Sequence, residues 1–196
     1  MKLKLTTILL STGFILAACG QDDHHDSEKE ANHTKTEHTH DQQHKNQNTD
    51  GQTIALNQIK TQPENAIKTA KSAFDGELKQ IEYKKEKGEW VYDVELHKGQ
   101  EEAEIKVSDK DNKVIHKHID KEKDQEQHPT IQYSDALQFD KAVKKAQEQQ
   151  QGELKQWTLK NSDGHFVYEI ELNGKQGEKE IVLDAKTSKV LEQDHE

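Results

Sequence analysis

The chain has 196 residues, of which 30% are hydrophobic and 34% are charged, and its formal net charge is −10. Globular domains approach one half apolar residues, so this composition indicates that part of the chain is unfolded. Nucleic-acid binding is disfavoured because acidic residues are in excess and arginine is absent. The single cysteine excludes an internal disulfide.

Residues 1–18 have the pattern of a secretory signal peptide. Lys2 and Lys4 supply positive charge, and the apolar run at 5–16 is shorter than the roughly 20 residues of a membrane-spanning helix. The run ends in Leu-Ala-Ala-Cys-Gly, which is similar to a bacterial lipobox and implies cleavage before a lipidated Cys19. Two acyl chains would anchor the protein stably at the extracellular face of the cell membrane. The alternative is an ordinary signal peptide followed by an incidental cysteine.

Residues 19–55 are predicted to form a disordered tether, because they include almost no apolar side chain that could be buried. Neutral imidazole is a common ligand of zinc, copper and nickel, and the tether is rich in it. The histidines concerned are His24, His25, His33, His38, His40 and His44. Their spacing matches no fixed metal site, so two interpretations stay open: a polar spacer, or a segment that binds zinc or copper weakly.

Residues 56–119 and 131–196 are predicted to be two copies of one domain, separated by a charged linker at 120–130. At an offset of 76 residues, the sequence Gly-Glu-Leu-Lys-Gln at 76–80 falls on an identical sequence at 152–156. Such an ungapped match indicates a tandem duplication. Units of about 60 residues are marginally stable alone, so the copies are expected to stabilise each other if they dock.

Each copy is predicted to begin with a helix. In the first, Thr61 and Glu64 have capping-box spacing, and Pro63 suits the first turn. In the second, Ser134 or Asp135 is expected to cap the helix.

Strands follow each helix, and the strands at 88–96 and 164–172 alternate strictly between two kinds of side chain. One face is predicted to be buried under the helix, and it consists of Trp90, Tyr92, Val94, Leu96, Phe166, Tyr168, Ile170 and Leu172. A last short strand is expected at 114–115 and again at 190–191. The predicted fold class is α+β, with two repeated domains that each pack one helix on a small antiparallel sheet.

Three local patterns recur in the two copies. An Ala-Ile/Val-x-x-Ala element lies in the predicted helix at 66–70 and 142–146, and a Tyr-x-Val-Glu-type strand lies at 91–95 and 167–171. A turn similar to Asp-Ala-x-Thr-Gly-x-Val-Leu lies at 184–191, with a degraded form at 108–115. This combination is the pattern of the PepSY family, so each copy resembles a PepSY domain. The glycine of that turn is expected to need a positive φ, and Asn112 and Ser188 replace it here. Some strain, or a different turn, is therefore expected at Ser188.

The resemblance implies a lipoprotein of a Gram-positive bacterium that binds, and inhibits or regulates, an extracellular peptidase, and the expected kind of peptidase is metal-dependent. No catalytic residues are attributed to the family. The alternative function is a metal-binding surface lipoprotein that acts through the histidine-rich tether.

No enzyme motif is found in the sequence. The paired carboxylates Asp93 with Glu95, and Glu169 with Glu171, could serve acid/base chemistry, but they are more simply the wet face of a half-covered sheet. His116 and His118 share a strand face, and are interpreted either as a metal pair or as solvated polar residues.

Overall fold

The computed structural model describes residues 51–121 and 129–195, so the predicted signal peptide and most of the tether lie outside the described residues. These described residues form two α-helices, two short 3₁₀ helices and eight β-strands. The α-helices are α1, Pro63–Ala73, and α2, Phe139–Gln147. The strands of the first copy are β1 (Glu77–Glu86), β2 (Glu89–Lys98), β3 (Glu101–Ser108) and β4 (Val114–Lys121). Those of the second are β5 (Gly152–Ser162), β6 (His165–Gly174), β7 (Gly177–Asp184) and β8 (Val190–His195).

The prediction of one helix and an antiparallel sheet in each copy is confirmed, but the prediction of two separate small sheets is wrong. All the strands form one eight-stranded sheet in the order β4-β3-β2-β1-β5-β6-β7-β8. The copies are joined because β1 pairs antiparallel with β5, which places Ile81 opposite Leu159 and Tyr83 opposite Trp157. At the centre of this pairing Glu82 faces Thr158, its own counterpart at the 76-residue offset. A pseudo-two-fold axis therefore passes between the copies at this position.

Two N-terminal arms, one in front of each helix, cross this axis. The Ile54 N–H donates to the Leu154 carbonyl at 2.8 Å, and the Ile131 N–H donates to the Leu78 carbonyl at 2.7 Å. Leu78 and Leu154 are counterparts, so each arm binds the same strand position of the other copy. Both isoleucines are buried, although Ile54 falls within the predicted tether. Each copy is therefore completed by a piece of its neighbour.

The hydrophobic core lies on one face of the sheet, beneath the two helices, and it is continuous across both copies. The alternation of the second strand of each copy accounts for it: Tyr92, Leu96 and their counterparts Tyr168 and Leu172 are at most 1% exposed. Trp157, from the second copy, contacts Tyr92 of the first with ring centroids 6.3 Å apart. It lies at a similar distance, 5.9 Å, from Tyr168 of its own copy. The aromatic cluster is thus shared.

The predicted helix caps are wrong. The N-cap residues are Gln62 and Gln138, and neither caps its helix with a side-chain hydrogen bond. The Thr61 hydroxyl donates instead to the Asp109 carbonyl at 2.6 Å, so a tertiary contact takes the group that the capping box would use. Ser134 and Asp135 lie in a 3₁₀ turn, Tyr133–Asp135, that precedes α2. Pro63 does occupy the first turn of α1, as predicted.

The turns before β4 and β8 adopt the predicted positive φ, which is 54° at Asn112 and 59° at Ser188. Ser188 therefore keeps the left-handed conformation instead of forming a different turn. The Asp184 side chain stabilises the start of its turn, because its Oδ1 accepts from the backbone N–H groups of Lys186 and Thr187 at 3.1 and 2.8 Å. The hydrogen bond from the Thr187 hydroxyl, together with these two backbone hydrogen bonds, lowers the pKa of Asp184. Strand β4 is longer than predicted and continues to Lys121.

Candidate functional site

The predicted lipid and metal residues of the leader and tether are not positioned by the structure. Cys19 and the histidines at 24, 25, 33, 38, 40 and 44 lie outside the described residues, so their roles stay predictions. His116 and His118 lie exposed on β4, and His118 Nε2 is 2.9 Å from Asp120 Oδ2. Within residues 51–121 and 129–195, no three His, Cys, Asp or Glu side chains are grouped so that they could hold a metal ion.

The face of the sheet opposite the helices carries the paired carboxylates, and two of them are covered instead of solvated: the side chains of Asp93 and Glu171 are each 12% exposed. As a whole residue Asp93 is 9% exposed, and its Oδ2 lies 3.6 Å from the Nζ atoms of both Lys84 and Lys106. Its other oxygen, Oδ1, is buried and accepts no hydrogen bond from residues 51–121 or 129–195. Burial, together with the nearby charge of Glu104, raises the pKa of Asp93 to about 6. The expectation of a wet carboxylate is therefore wrong at this position, because long lysine side chains cover it.

A lysine between two glutamates recurs on this face in both copies. Lys79 Nζ lies 3.6 Å from Glu95 and 2.7 Å from Glu102. In the second copy, Lys155 Nζ lies 2.6 Å from Glu171 and 2.5 Å from Glu178.

The lysines of these clusters sit where the first strand of each copy has a β-bulge, between Leu78 and Gln80 and between Leu154 and Gln156. The bulge inserts one residue into the strand, and that residue is the lysine. Both lysines belong to the identical Gly-Glu-Leu-Lys-Gln segments, which was the available sequence signal. The clusters pair each carboxylate with a cation, so we interpret them as sheet-stabilising contacts and not as acid/base groups.

A second matched contact fixes the start of each helix to the sheet. The Tyr92 hydroxyl donates to the Thr61 carbonyl at 2.5 Å, and the Tyr168 hydroxyl donates to the Leu137 carbonyl at 2.7 Å. These carbonyls occupy equivalent positions, one residue before each N-cap. Tyr92 and Tyr168 were predicted both from the alternation of their strands and from the resemblance to the PepSY family. They stabilise the fold in two ways, through their rings in the core and through their hydroxyls at the helix starts.

In the first copy alone, the buried carboxylate of Asp109 reinforces this junction. Its Oδ1 accepts from the backbone N–H groups of Lys60 and Thr61 at 3.1 and 3.0 Å. The equivalent residue of the second copy is Ala185, whose carbonyl accepts from the Leu137 N–H at 2.7 Å. Asp109 was not singled out by sequence reasoning, because the turn in which it lies departs from the family pattern.

Comparison with known families agrees with this duplicated arrangement. The model of the PepSY family, described as "Peptidase propeptide and YPEB domain", matches residues 62–124 and again residues 136–194. The chain belongs to the PepSY family. Its two PepSY domains are the two copies that share the eight-stranded sheet.

Among solved structures, the two PepSY domains are similar to the crystal structure of a "putative lipoprotein" from Clostridium difficile 630. The two chains are 20% identical with a TM-score of 0.67, over 74% of this chain and 99% of the other, which shows a common fold. A comparison with curated proteins gave no match.

The outer strands of the two PepSY domains carry the exposed apolar side chains. Large hydrophobic residues that are exposed in the described part of the chain lie on β4 and β8, the two edges of the sheet. They are Val114, Ile115 and Ile119 on β4, and Leu191 on β8. These two edges are the candidate interaction surfaces.

No helix among the described residues is long and apolar enough to cross a membrane.

Proposed function

We propose that this protein is a lipoprotein at the extracellular face of a Gram-positive cell membrane, and that its two PepSY domains bind and restrain an extracellular peptidase without catalysing a reaction. The observation that carries the proposal is the double match to a family described by its occurrence in peptidase propeptides. A domain of this kind acts by occupying the enzyme, for which it needs an exposed surface and no reactive group of its own.

Two further observations support the anchored location. The only cysteine of the chain follows an apolar leader within Leu-Ala-Ala-Cys-Gly. A protein of the same fold from Clostridium difficile 630 is itself described as a putative lipoprotein. With a diacylglyceryl group on Cys19, the PepSY domains would be held near secreted enzymes as these leave the cell.

The test of peptidase restraint uses the full chain and the secreted proteins of its own organism. We expect the protein, at micromolar concentration, to slow cleavage of a fluorogenic peptide by the culture medium, and to retain a peptidase on an affinity column. Adding a chelator to parallel samples identifies the metal-dependent share of the activity. If no peptidase is retained and cleavage is unchanged, the proposal is wrong.

The second candidate function is metal binding by the tether, and the observation in its favour is the six histidines at 24–44. Imidazole binds metal only when it is neutral, so binding should weaken as the pH falls through about 6.5. Calorimetry with zinc and copper, on the full chain and on a variant with these six histidines replaced by glutamine, separates the two interpretations. Equal heats from both proteins would leave the tether as a spacer.

A further inference from the structure

Strand β4 forms an edge of the sheet, and all eight of its residues are exposed. Three of them are large and apolar: Val114 is 38% exposed, Ile115 51% and Ile119 41%. Within the described part of the chain β4 pairs only with β3, so the peptide groups on its other side face outward. An exposed edge strand is a template for another strand, and the lysines and the β-bulge of β4 restrict which strands can pair with it.

The edge is held in an ordered conformation. Lys117 Nζ donates to the carbonyl of Ala73, the last residue of α1, at 2.7 Å, and it lies 6.0 Å from the centre of the Phe74 ring. Pairing with β3 runs from Val114 to Lys121 with one interruption at Ile115. An incoming strand would therefore not need to order β4 first, which lowers the entropic cost of binding.

The charge on β4 is opposite to that of the chain as a whole. The strand carries Lys117, Lys121 and two histidines against the single acid Asp120, in a chain whose formal net charge is −10. Register places Lys117 opposite Ile105 and Ile119 opposite Ala103, and both partners lie in the core under the helices. On that side of the sheet, an added strand would therefore meet basic, apolar and basic side chains in turn.

We propose that β4 is a docking strand, which adds an extended segment of a partner protein to the sheet when every second residue of that segment is in turn acidic, apolar and acidic. Backbone hydrogen bonds along the edge supply affinity, and alternate side chains supply specificity. This inference rests on the proposed function, which makes the partner a peptidase. The segment that docks on β4 is then a part of that peptidase.

The other edge offers a matched control. Ile115 and Leu191 are counterparts at the 76-residue offset, each is the extra residue of a β-bulge, and they are 51% and 44% exposed. Strand β8 is shorter, with six residues against eight. The same substitution at these two positions therefore changes the same local structure, but only one of them lies on the proposed docking strand.

The experiment measures the binding of a capped eight-residue peptide to the full-length protein, by NMR amide shifts and by fluorescence anisotropy. In this peptide glutamate and valine take turns at every second position, with threonine between them, so that one face presents acidic and apolar side chains in turn. We expect the largest shifts on β4 and β3, and weaker binding of the same peptide with lysine in place of glutamate. Ile115→Asp removes an apolar contact and opposes the glutamates with like charge, so it should weaken binding of the glutamate peptide by about tenfold, or ~1.4 kcal/mol. Leu191→Asp should leave it unchanged. Lys121→Glu, at an exposed position, should reduce the preference for glutamate over lysine, and so should high salt.

Equal binding to the wild-type protein and to Ile115→Asp, or shifts centred on β8, would overturn the docking strand. So would self-association of the protein that Ile115→Asp abolishes, because the edge would then belong to a second copy; sedimentation without peptide detects this. If Ile115→Asp still slows the peptidase as the wild type does, the docking strand is wrong and the proposed function stands. If the peptide binds at β4 but no peptidase is retained, the docking strand stands and the proposed function is wrong.

Discussion

Ile54 donates its backbone N–H to Leu154, a residue of the other PepSY domain 100 positions later, and not to any strand of its own domain. Ile131 makes the equivalent bond in the opposite direction. With the β1–β5 pairing and the shared Trp157, these bonds make the two domains one structural unit. The copies, which were expected to stabilise each other if they docked, are therefore joined through a strand pair, two arms and a shared core.

The first prediction concerns this cooperativity. Trp157→Ala removes a fully buried ring that contacts both domains, and we expect it to lower the free energy of unfolding by about 4 kcal/mol. Tyr92→Ala and Tyr168→Ala should each cost about 3 kcal/mol or more. Hydrogen exchange measures whether amides of β2 and β6 lose protection together. Loss confined to the domain that carries the substitution would contradict the single unit.

The second prediction concerns Asp93 and pH. Its folded-state pKa of about 6 lies about two pH units above the ordinary value of 3.8, so between these values the folded protein holds a proton that the unfolded chain has lost. Asp93 therefore contributes stability below about pH 4 that is lost as the pH rises through 6. The difference at pH 7 is of the order of 2–3 kcal/mol.

Asp93→Asn should accordingly raise the free energy of unfolding at pH 7 and flatten its dependence between pH 4 and 7, measured by urea denaturation at several pH values. The control is Glu169→Gln at the equivalent position, where the carboxylate lies 2.9 Å from Lys160 Nζ. That variant loses an ion pair and should gain nothing. A lower stability of Asp93→Asn than of the wild type at pH 7 would refute the account.

The third prediction concerns the turns before β4 and β8. Serine at a φ of 59° is strained, whereas asparagine tolerates a similar value, 54°, more readily. Ser188→Gly should therefore stabilise the protein by about 0.5–1 kcal/mol, and Asn112→Gly should change stability less. Thermal or chemical denaturation of the two variants measures this; a larger gain at Asn112 would be inconsistent with strain at Ser188.

The fourth prediction concerns the anchor. Cys19→Ala removes the thiol that the lipobox-like sequence would present for lipidation, so the protein should move from the membrane fraction to the medium or stay unprocessed. Fractionation with labelled palmitate measures both effects. A processed, lipid-labelled Cys19→Ala protein in the membrane fraction would rule out this anchor.

The alternation of apolar and polar residues along the strands, together with the resemblance to the PepSY family, was sufficient to predict the local fold. The burial of Tyr92 and Tyr168 follows from period-two patterning, and the positive φ at Asn112 and Ser188 follows from the family turn. Each of these depends on contacts within a few residues or on one strand face, which a sequence pattern records directly.

The joining of the copies could not be predicted in the same way. Ile81 and Trp157 alternate as any buried strand residues do, and nothing in that pattern indicates which strand lies beside them. Thr61 was assigned to a cap because capping is local, whereas its true partner, Asp109, lies 48 residues later. Asp109 itself replaces a contact that Ala185 makes through its backbone, so the aligned copies do not show its role.

The pairing of Glu82 with Thr158 also bears on how the duplicated copies recognise each other. Suppose that the β1 strands of two separate molecules paired through the same two-fold arrangement. Glu82 would then face another Glu82, and directly opposed like charges destabilise a sheet. Two second copies would bring Thr158 against Thr158, without that repulsion. The difference between Glu82 and Thr158 therefore disfavours pairing of β1 with the β1 of another molecule. It favours pairing of β1 with the β5 of its own chain.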